Sequence, residues 1–332
     1  MRLVKFAYYP ICLVVFCSLL ILDGCTGESI FIHTVRFEKE FNVGKDLNQI
    51  YFTNETNGVV IGDDGAFLYT TNAGESWQQV PDAPEDVDYN SISFPTRTTG
   101  YVSGEGALLR TTDGGASWEL IGEPNYISTS FPAENVGYGV SSNYTFKTVD
   151  GGETWTSLGS HSSSGLGSIK RVYFYTIGSG VLVEDGWSYV SKTTSGGSSW
   201  SYATEDPKVA FTHVQRFVNG ISYWAAGNNT YYSGMFYTDD GTPVNYYEAS
   251  SDEFTGSRSM WSMHSWDGLE FIAVGGSVCG ISHDGGLSWV QVYDENGRSF
   301  SADDAAVMKP GRYAAIAEQH IYLLTQDCVI CE

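Results

Sequence analysis

Basic residues are scarce in this sequence. Only 17 of its 332 residues are Lys or Arg, against 39 Asp or Glu, so the formal net charge is −22. Proteins that bind nucleic acid need clustered Lys and Arg to neutralise phosphates, and docking on anionic lipid requires the same charges. The composition therefore argues against a nucleic acid or a lipid surface as the partner.

Long apolar runs are also rare. Residues 11–22 are nearly all apolar, and no later stretch reaches the roughly 18 apolar residues that a membrane helix needs. Arg2 and Lys5 precede this run, which ends in the phrase LDGC at 22–25. That phrase resembles the bacterial lipobox, whose cysteine becomes the lipidated N-terminus.

The N-terminal pattern is typical of a targeting segment. We expect residues 1–24 to be a lipoprotein-type signal peptide, Cys25 to be the lipidation site and residues 25–29 to be a short tether. The protein would then be exported and held at the bacterial outer membrane or cell surface through its lipid anchor alone. An ordinary secretory signal and an uncleaved anchor are the alternatives.

Cysteines are too few to define a metal site. Beyond Cys25 only Cys279, Cys328 and Cys331 remain, and because this number is odd their pairing stays open. The last two form one C-x-x-C motif, which is weak evidence for zinc without a second pair or histidines. We expect no metal and no cofactor.

Glycine, by contrast, is abundant, and it recurs in a repeated phrase. Glycines at 74, 115, 152, 197, 241 and 286 are 37 to 45 residues apart, a period typical of propeller blades. The copies are 70–77 (TTNAGESW), 111–118 (TTDGGASW), 148–155 (TVDGGETW), 193–200 (TTSGGSSW), 282–289 (SHDGGLSW) and a degraded copy at 238–245 (TDDGTPVN).

The phrase matches the Asp-box, also called the BNR repeat. Its Asp or Asn can accept hydrogen bonds from backbone N–H groups of its own turn, its Gly permits a positive φ, and its Trp buries a large ring. Because six copies cannot all be an active site, we interpret them as structural turns. The residues in these roles are Asn72, Gly74, Trp77, Asp113, Gly115, Trp118, Asp150, Gly152, Trp155, Gly197, Trp200, Asp284, Gly286 and Trp289.

The blades can be counted from the same repeat. Six sets of four strands, A to D, fit between residues 47 and 294, with strand A of the second at 90–95 and strand D at 117–121. Three more strands follow, and a strand-like run at 30–37 can supply the missing fourth. We predict an all-β fold: a single seven-bladed β-propeller over 30–332, its last blade closed by an N-terminal strand that removes an aggregation-prone edge.

Two longer phrases, GVVIGDDGAFLYTTNAGESW (58–77) and GYVSGEGALLRTTDGGASW (100–118), resemble repeats of the photosystem II stability/assembly factor family. This resemblance implies a seven-bladed propeller that binds an assembly intermediate through an Arg-rich surface. Here the basic surface is largely absent, so the resemblance implies a binding or assembly scaffold rather than photosystem binding. The positions equivalent to Arg110 in other blades are Tyr69, Lys147, Lys192, Tyr237 and Ile281.

No pattern singles out catalytic residues. The Arg-Ile-Pro signature of Asp-box sialidases is missing. Xyloglucan hydrolases with Asp-boxes resemble two such propellers, so this chain has half the size that they need. The sequence has no Gly-x-Ser-x-Gly elbow, and no carboxylate pair stands out among the many acids. We predict that the protein is not an enzyme. A surface glycan-binding protein is the alternative function, with a glycoside hydrolase less favoured.

Candidate binding residues lie in the B–C turns, opposite the Asp-boxes. An acidic rim there could attract a basic protein partner or divalent cations, or could be solvated surface. Blade-five aromatics could stack a glycan or anchor a protein, or could be core, and His264 is expected to be packed. The rim candidates in the B–C turns are Asp63, Asp64, Glu105, Glu184 and Asp185. Further acidic residues in the D–A connections are Asp82, Glu85, Asp86, Asp88, Glu205, Asp206, Asp252, Glu253, Asp294 and Glu295. The candidate aromatics of blade five are Tyr223, Trp224, Tyr231 and Tyr232.

Overall fold

A computed structural model describes most of the chain from residue 30 to residue 331. Its gaps are 123, 142–143, 161–168, 185–188, 206–209, 217–222, 229–233, 239–242, 249–259, 266–268, 277, 284–289, 294–295 and 297. The chain divides into two compact units, one of Met1–Ile32 with Cys328–Glu332 and one of His33–Asp327. The architecture set out here belongs to the second unit.

The described residues form 28 β strands, and none of them belongs to a helix long and apolar enough to cross a membrane. The first fourteen are β1 Ile30–Asn42, β2 Leu47–Phe52, β3 Gly58–Gly62, β4 Phe67–Thr70, β5 Gln78–Gln79, β6 Tyr89–Ser93, β7 Gly100–Gly104, β8 Ala107–Thr111, β9 Glu119–Gly122, β10 Ser128–Ala133, β11 Val136–Ser141, β12 Tyr144–Thr148, β13 Thr156–Ser160 and β14 Ile169–Phe174. The others are β15 Gly180–Glu184, β16 Tyr189–Thr193, β17 Ser201–Glu205, β18 Ala210–Arg216, β19 Tyr223–Asn228, β20 Gly234–Thr238, β21 Pro243–Glu248, β22 Met260–Ser265, β23 Phe271–Gly275, β24 Val278–Ser282, β25 Val290–Gln291, β26 Asp304–Lys309, β27 Arg312–Ala317 and β28 His320–Cys331.

These strands make seven four-stranded sheets. Six sheets use consecutive strands, from β2–β5 (blade one) to β22–β25 (blade six), and the seventh has the order β1-β28-β27-β26. The strand from the N-terminal end therefore completes the last blade beside the C-terminal strand, as the sequence predicts. It is longer than the predicted 30–37 and ends at Asn42.

Strand A, which is the first of the four strands in blades one to six and β26 in blade seven, faces the centre of the ring. These A strands contact one another in succession, and β26 of blade seven contacts β2 of blade one, so the ring is closed. The predicted seven-bladed β-propeller is confirmed.

A repeated aromatic–glycine contact explains why the B strands of the first four blades have glycine at their first or second position. A Phe at or near the end of strand A lies over that glycine, and a Cβ at Gly100 would come within 2.3 Å of the Phe94 ring. Any larger residue would push this ring out of the core. The same pairs recur as Phe52 with Gly58, Phe131 with Gly137 and Phe174 with Gly180.

The core lies between adjacent blades. Strand B is enclosed by neighbouring sheets, so all five residues of β7 are buried, whereas the outer strand β5 is exposed and polar. Between blades one and two, Val59 and Phe67 pack with Tyr89, Val102 and Leu109. Burial of such side chains contributes about 1.5–3 kcal/mol each, so inter-blade contacts supply much of the stability.

Candidate functional site

Backbone hydrogen bonds show which turns share a face. In each of the first four blades, an N–H of the Asp-box turn donates to a carbonyl of the A–B turn. These two kinds of turn form one surface, the Asp-box face, and the B–C turns and D–A connections lie on the opposite one. The bonds are Ala73 to Thr56 (2.8 Å), Gly114 to Thr98 (2.8 Å), Gly151 to Asn135 (2.9 Å) and Gly196 to Gly178 (2.7 Å).

Each described Asp-box closes its turn with the same side-chain bonds. In blade two, Asp113 Oδ1 accepts from the Ser117 amide at 2.9 Å and from the Thr111 hydroxyl at 2.8 Å. The Thr111 hydroxyl oxygen accepts from the Gly115 amide at 3.0 Å. Asn72 and Asp150 repeat this pattern in blades one and three, and Ser195 takes the acidic position in blade four.

These bonds hold the box carboxylates in their charged form. Hydrogen bonds from the Thr154 hydroxyl and amide, and then from Thr148, lower the pKa of Asp150 to about 2. For Asp113, slight burial acts to raise the pKa, but bonds from Ser117 and Thr111 outweigh it and the pKa is lowered. The carboxylates are thus turn acceptors and are not poised for proton transfer at neutral pH.

The box glycine and tryptophan join one blade to the previous one. A Cβ at Gly152, whose φ is +96°, would lie 2.7 Å from Leu108 of blade two. Trp118 packs against Phe67 of blade one with ring centroids 4.9 Å apart, and its Nε1 donates to the Gly115 carbonyl. Asp284, Gly286 and Trp289 lie outside the described residues.

On the face opposite the Asp-boxes, hydrogen bonds link acidic turns of blades seven, one and two. The Glu318 amide donates to Asp303 within blade seven, and the Gln319 side chain donates to Asp46 beside blade one at 3.1 Å. The Asp64 amide of blade one donates to Asp88 Oδ1 at 2.9 Å. The Glu105 amide donates to the Asp88 carbonyl oxygen. Nine acidic residues therefore lie in neighbouring turns of this face, and we call them the acidic arc: Asp46, Asp63, Asp64, Glu85, Asp86, Asp88, Glu105, Asp303 and Glu318.

The arc residues divide into two groups. Four side chains accept hydrogen bonds within the fold: Asp46, Asp63, Asp88 and Asp303. Five are exposed, and their carboxylates have no hydrogen bond or ion pair among the described residues: Asp64, Glu85, Asp86, Glu105 and Glu318. Lys45 lies among these turns, but its Nζ donates to the Asp64 carbonyl oxygen.

The structure brings together three of the five predicted rim residues, Asp63, Asp64 and Glu105. Glu184 ends β15, and Asp185 lies outside the described residues. Sequence reasoning missed Asp46, Asp303 and Glu318, which join the arc because the ring places blade seven beside blade one. Of the predicted aromatics, Tyr223 and Trp224 lie in β19, and Tyr231 and Tyr232 fall outside the described residues.

Polar side chains on the A strands link one blade to the next around the central channel. At the lower acceptor position, three residues before the Phe at or near the end of strand A or its equivalent, the side chains of four blades accept an N–H of the next blade. The lower acceptors are Gln49, Ser91, Ser128 and Asp304. Two residues further along, the upper acceptors are Ser93, Ser130 and His264.

The A strands enclose a cavity of about 450 Å³. It extends to the A–B turns, where Pro95, Arg97 and Tyr175 line it, so it reaches the Asp-box face and not the acidic arc. Arg171 and Asp304 also line it, and their charges interact. The described lining therefore opens toward the Asp-box face, whereas the sequence predicts the binding residues on the other face.

His264 is a packed histidine, as predicted. Its Nδ1 accepts the Val307 amide at 3.0 Å, and its ring meets Tyr51 edge-on with centroids 5.8 Å apart. Burial lowers the pKa of His264 to about 4, so the ring is neutral at physiological pH. Burial also raises the pKa of Asp304, against the opposing effects of hydrogen bonds from Ser262 and Ile50.

The fold and its turns define a class, the Asp-box β-propellers with seven blades. Within this class, the profile of the family described as "Photosynthesis system II assembly factor YCF48" matches residues 34–303. The chain belongs to this family. No curated protein sequence matches it.

Solved structures agree on the fold. The chain is similar to "YCF48 bound to D1 peptide", with 18% identity, a TM-score of 0.65 and coverage of 87% of this chain and 97% of that one. YCF48 from Cyanidioschyzon merolae gives 18% identity, a TM-score of 0.65 and coverage of 86% and 98%. The GH74 enzyme of Niastella koreensis gives 13% identity and a TM-score of 0.67. This similarity covers 84% of this chain but 52% of the enzyme.

Proposed function

We propose that this chain is a non-catalytic scaffold that binds a basic segment of a partner protein through the acidic arc. The observation that carries the proposal is the set of five exposed arc carboxylates without a described partner. Such a concentration of one charge produces a potential that attracts an opposite charge and accelerates its association. The similar structure "YCF48 bound to D1 peptide" supports a protein as the partner of this chain.

A binding role also agrees with how the polar groups of the ring are used. Asp304 and His264, which are titratable, both accept backbone N–H groups of an adjacent blade. Neither side chain is positioned as an acid or a base toward a substrate, because its acceptor atom already binds a backbone N–H that joins two blades. The similarity to a GH74 enzyme extends to half of that chain and supports the shared fold.

The partner-binding test compares two sets of three neutralised carboxylates. One variant carries Asp64→Asn, Asp86→Asn and Glu105→Gln in the arc. The matched control carries Glu55→Gln, Glu119→Gln and Glu153→Gln, which pair with cations elsewhere. Partners are first recovered by affinity purification of the unmodified chain. The binding of each purified partner to the three chains is then measured across salt concentrations.

We expect the arc variant to bind its partner at least about tenfold more weakly and with a flatter salt dependence, since each neutralised charge contributes to steering. The control should keep its affinity within about twofold, because exposed ion pairs contribute little. Equal affinity of the arc variant and the unmodified chain would refute the role of the arc.

We also propose that the chain is exported and anchored through Cys25, on the basis of the phrase that ends at this residue. Cys25→Ala should release the chain from membranes or leave its signal segment uncleaved. Mass spectrometry of the N-terminus and fractionation of cells would report both. Unchanged size and unchanged membrane retention of the variant would rule out the lipid anchor.

A further inference from the structure

We propose that the central cavity binds the oxyanion group of a small ligand, a carboxylate or a phosphate, through Arg171 and the serine hydroxyls of blades two and three. This site is separate from the acidic arc. It uses residues that reach the channel from three consecutive A strands, β6, β10 and β14.

The position of Arg171 is the first argument. Arg171 stands three residues before Phe174, where Gln49, Ser91 and Ser128 stand before the corresponding Phe of blades one to three. Those three accept an N–H of the next blade, but a guanidinium has only donors. Arg171 therefore cannot make the inter-blade bond of its position; among the described residues it makes no hydrogen bond, and its charge interacts with that of Asp304.

The serine hydroxyls supply the second argument. Ser93, Ser128 and Ser130 each accept one amide, at 2.9, 3.3 and 2.8 Å. A hydroxyl that accepts one N–H still has its own proton to donate. Among the described residues no acceptor receives those protons, and Ser128 and Ser130 are only 5% and 3% exposed.

The charges of the lining supply the third argument. Among the described residues that line the cavity, Arg97 and Arg171 are basic and Asp304 is the carboxylate. The Asp304 oxygens accept from the Ser262 hydroxyl and the Ile50 amide, and no hydrogen bond to Arg171 is found among the described residues. The guanidinium of Arg171 thus lies in a half-enclosed space. Partial exclusion of water strengthens its attraction for an anion.

The donor set decides the ligand chemistry. Hydroxyl and guanidinium donors that have no acceptor among the described residues match the oxygens of a carboxylate or a phosphate, which accept several hydrogen bonds at once. A cavity of about 450 Å³ is within the usual range of small-molecule sites, which is about 300–1,000 Å³. The site thus suits a small organic acid or a phosphate ester.

The test uses the full mature chain with two probes, inorganic phosphate and citrate, each titrated by calorimetry at constant ionic strength. We expect at least one probe to bind saturably with one site per chain. Arg171→Gln should weaken this binding about tenfold or more, which is the loss of one charged hydrogen bond. The matched control is Arg36→Gln, which removes the same charge from an arginine outside the cavity lining.

A crystal of the unmodified chain soaked in tungstate gives a result that does not depend on any variant folding. Anomalous peaks between Arg171 and the serine hydroxyls would support the site. The proposal is overturned if neither probe binds, if Arg36→Gln and Arg171→Gln weaken binding equally, or if the tungstate lies only outside the cavity.

Discussion

The two faces of the propeller hold their charges in different ways. On the Asp-box face and along the strands that lead to it, basic side chains pair with carboxylates, and most of these pairs join neighbouring blades. On the opposite face, backbone and amide groups join the blades, and five carboxylates remain without a described partner. The pairs are Arg312 with Glu75 (3.0 Å) and Glu38 (3.1 Å), Lys309 with Glu55 (3.7 Å), and Arg110 with Glu119 (3.2 Å) and Glu153 (3.7 Å).

This difference separates the structural use of charge from the binding role that we propose for the arc. The Asp-box face satisfies its carboxylates in turns and ion pairs, so changes there should act on stability. The exposed arc carboxylates contribute no contact to the fold, so changes there should act on association. Four substitutions or sets of substitutions can break or sharpen this comparison.

The largest effect is expected for Trp118→Ala on the Asp-box side. The ring fills the interface of blades one and two against Phe67 and Phe94, so its removal leaves a cavity. The free energy of unfolding should fall by about 3 kcal/mol, at the low end for a large aromatic because the ring is only partly buried. Urea unfolding would measure it, with Leu120→Ala in the same blade as an exposed control. A loss below about 1 kcal/mol would show that the box tryptophan does not hold the blades together.

Gly152→Ala should have the next largest effect. A positive φ of +96° strains any side chain, and the new Cβ would lie 2.7 Å from Leu108, so we expect a loss of about 2 kcal/mol. Gly106→Ala is the matched control because Gly106 has a φ of +78° and a Cβ added there would meet nothing within 4 Å. It should lose only about 1 kcal/mol, the cost of the backbone conformation. Equal losses would mean that the close contact with Leu108 has no cost.

The Asp-box repeat explains why the fold could be predicted from sequence. Each copy specifies the turn between strands C and D, so its period gives the number of blades. Strand ends were less accurate: β9 begins at Glu119 and not at 117, because the Ser117 amide donates to Asp113 in the turn. That residue therefore cannot also join the strand ladder.

The channel was harder to predict because its residues come from separate repeats. Ser93, Ser130 and Arg171 lie in different A strands and form no local motif. Alignment of the A strands on their Phe residues could have found Arg171 as the exception at an acceptor position. The acidic arc was predicted in part, since turn carboxylates of blades one and two were visible, but its extension through blade seven required the closed ring.

The pH dependence of stability tests the carboxylates of the Asp-box face. Hydrogen bonds lower the pKa of Asp150 to about 2, below the value of about 3.9 for an unfolded Asp. Its stabilising effect should therefore be complete above about pH 4 and be lost as the pH falls toward 2. Asp150→Ser copies the box of blade four, where Ser195 stands at this position. The difference in melting temperature between the two chains should shrink from pH 5 to pH 2, and a constant difference would contradict the role of the charge.

The smallest effect on stability is expected for the arc variant Asp64→Asn, Asp86→Asn and Glu105→Gln. None of these three carboxylates has a described partner, and neighbouring like charges repel one another, so neutralisation removes repulsion without removing a contact. The free energy of unfolding should change by no more than about 0.5 kcal/mol, toward greater stability, and the gain should vanish as added salt screens the charges. The control with Glu55, Glu119 and Glu153 neutralised should shift the other way, because it breaks ion pairs. If the arc variant were instead the less stable of the two, its carboxylates would be part of the fold, and the two faces would not differ in the way that their contacts indicate.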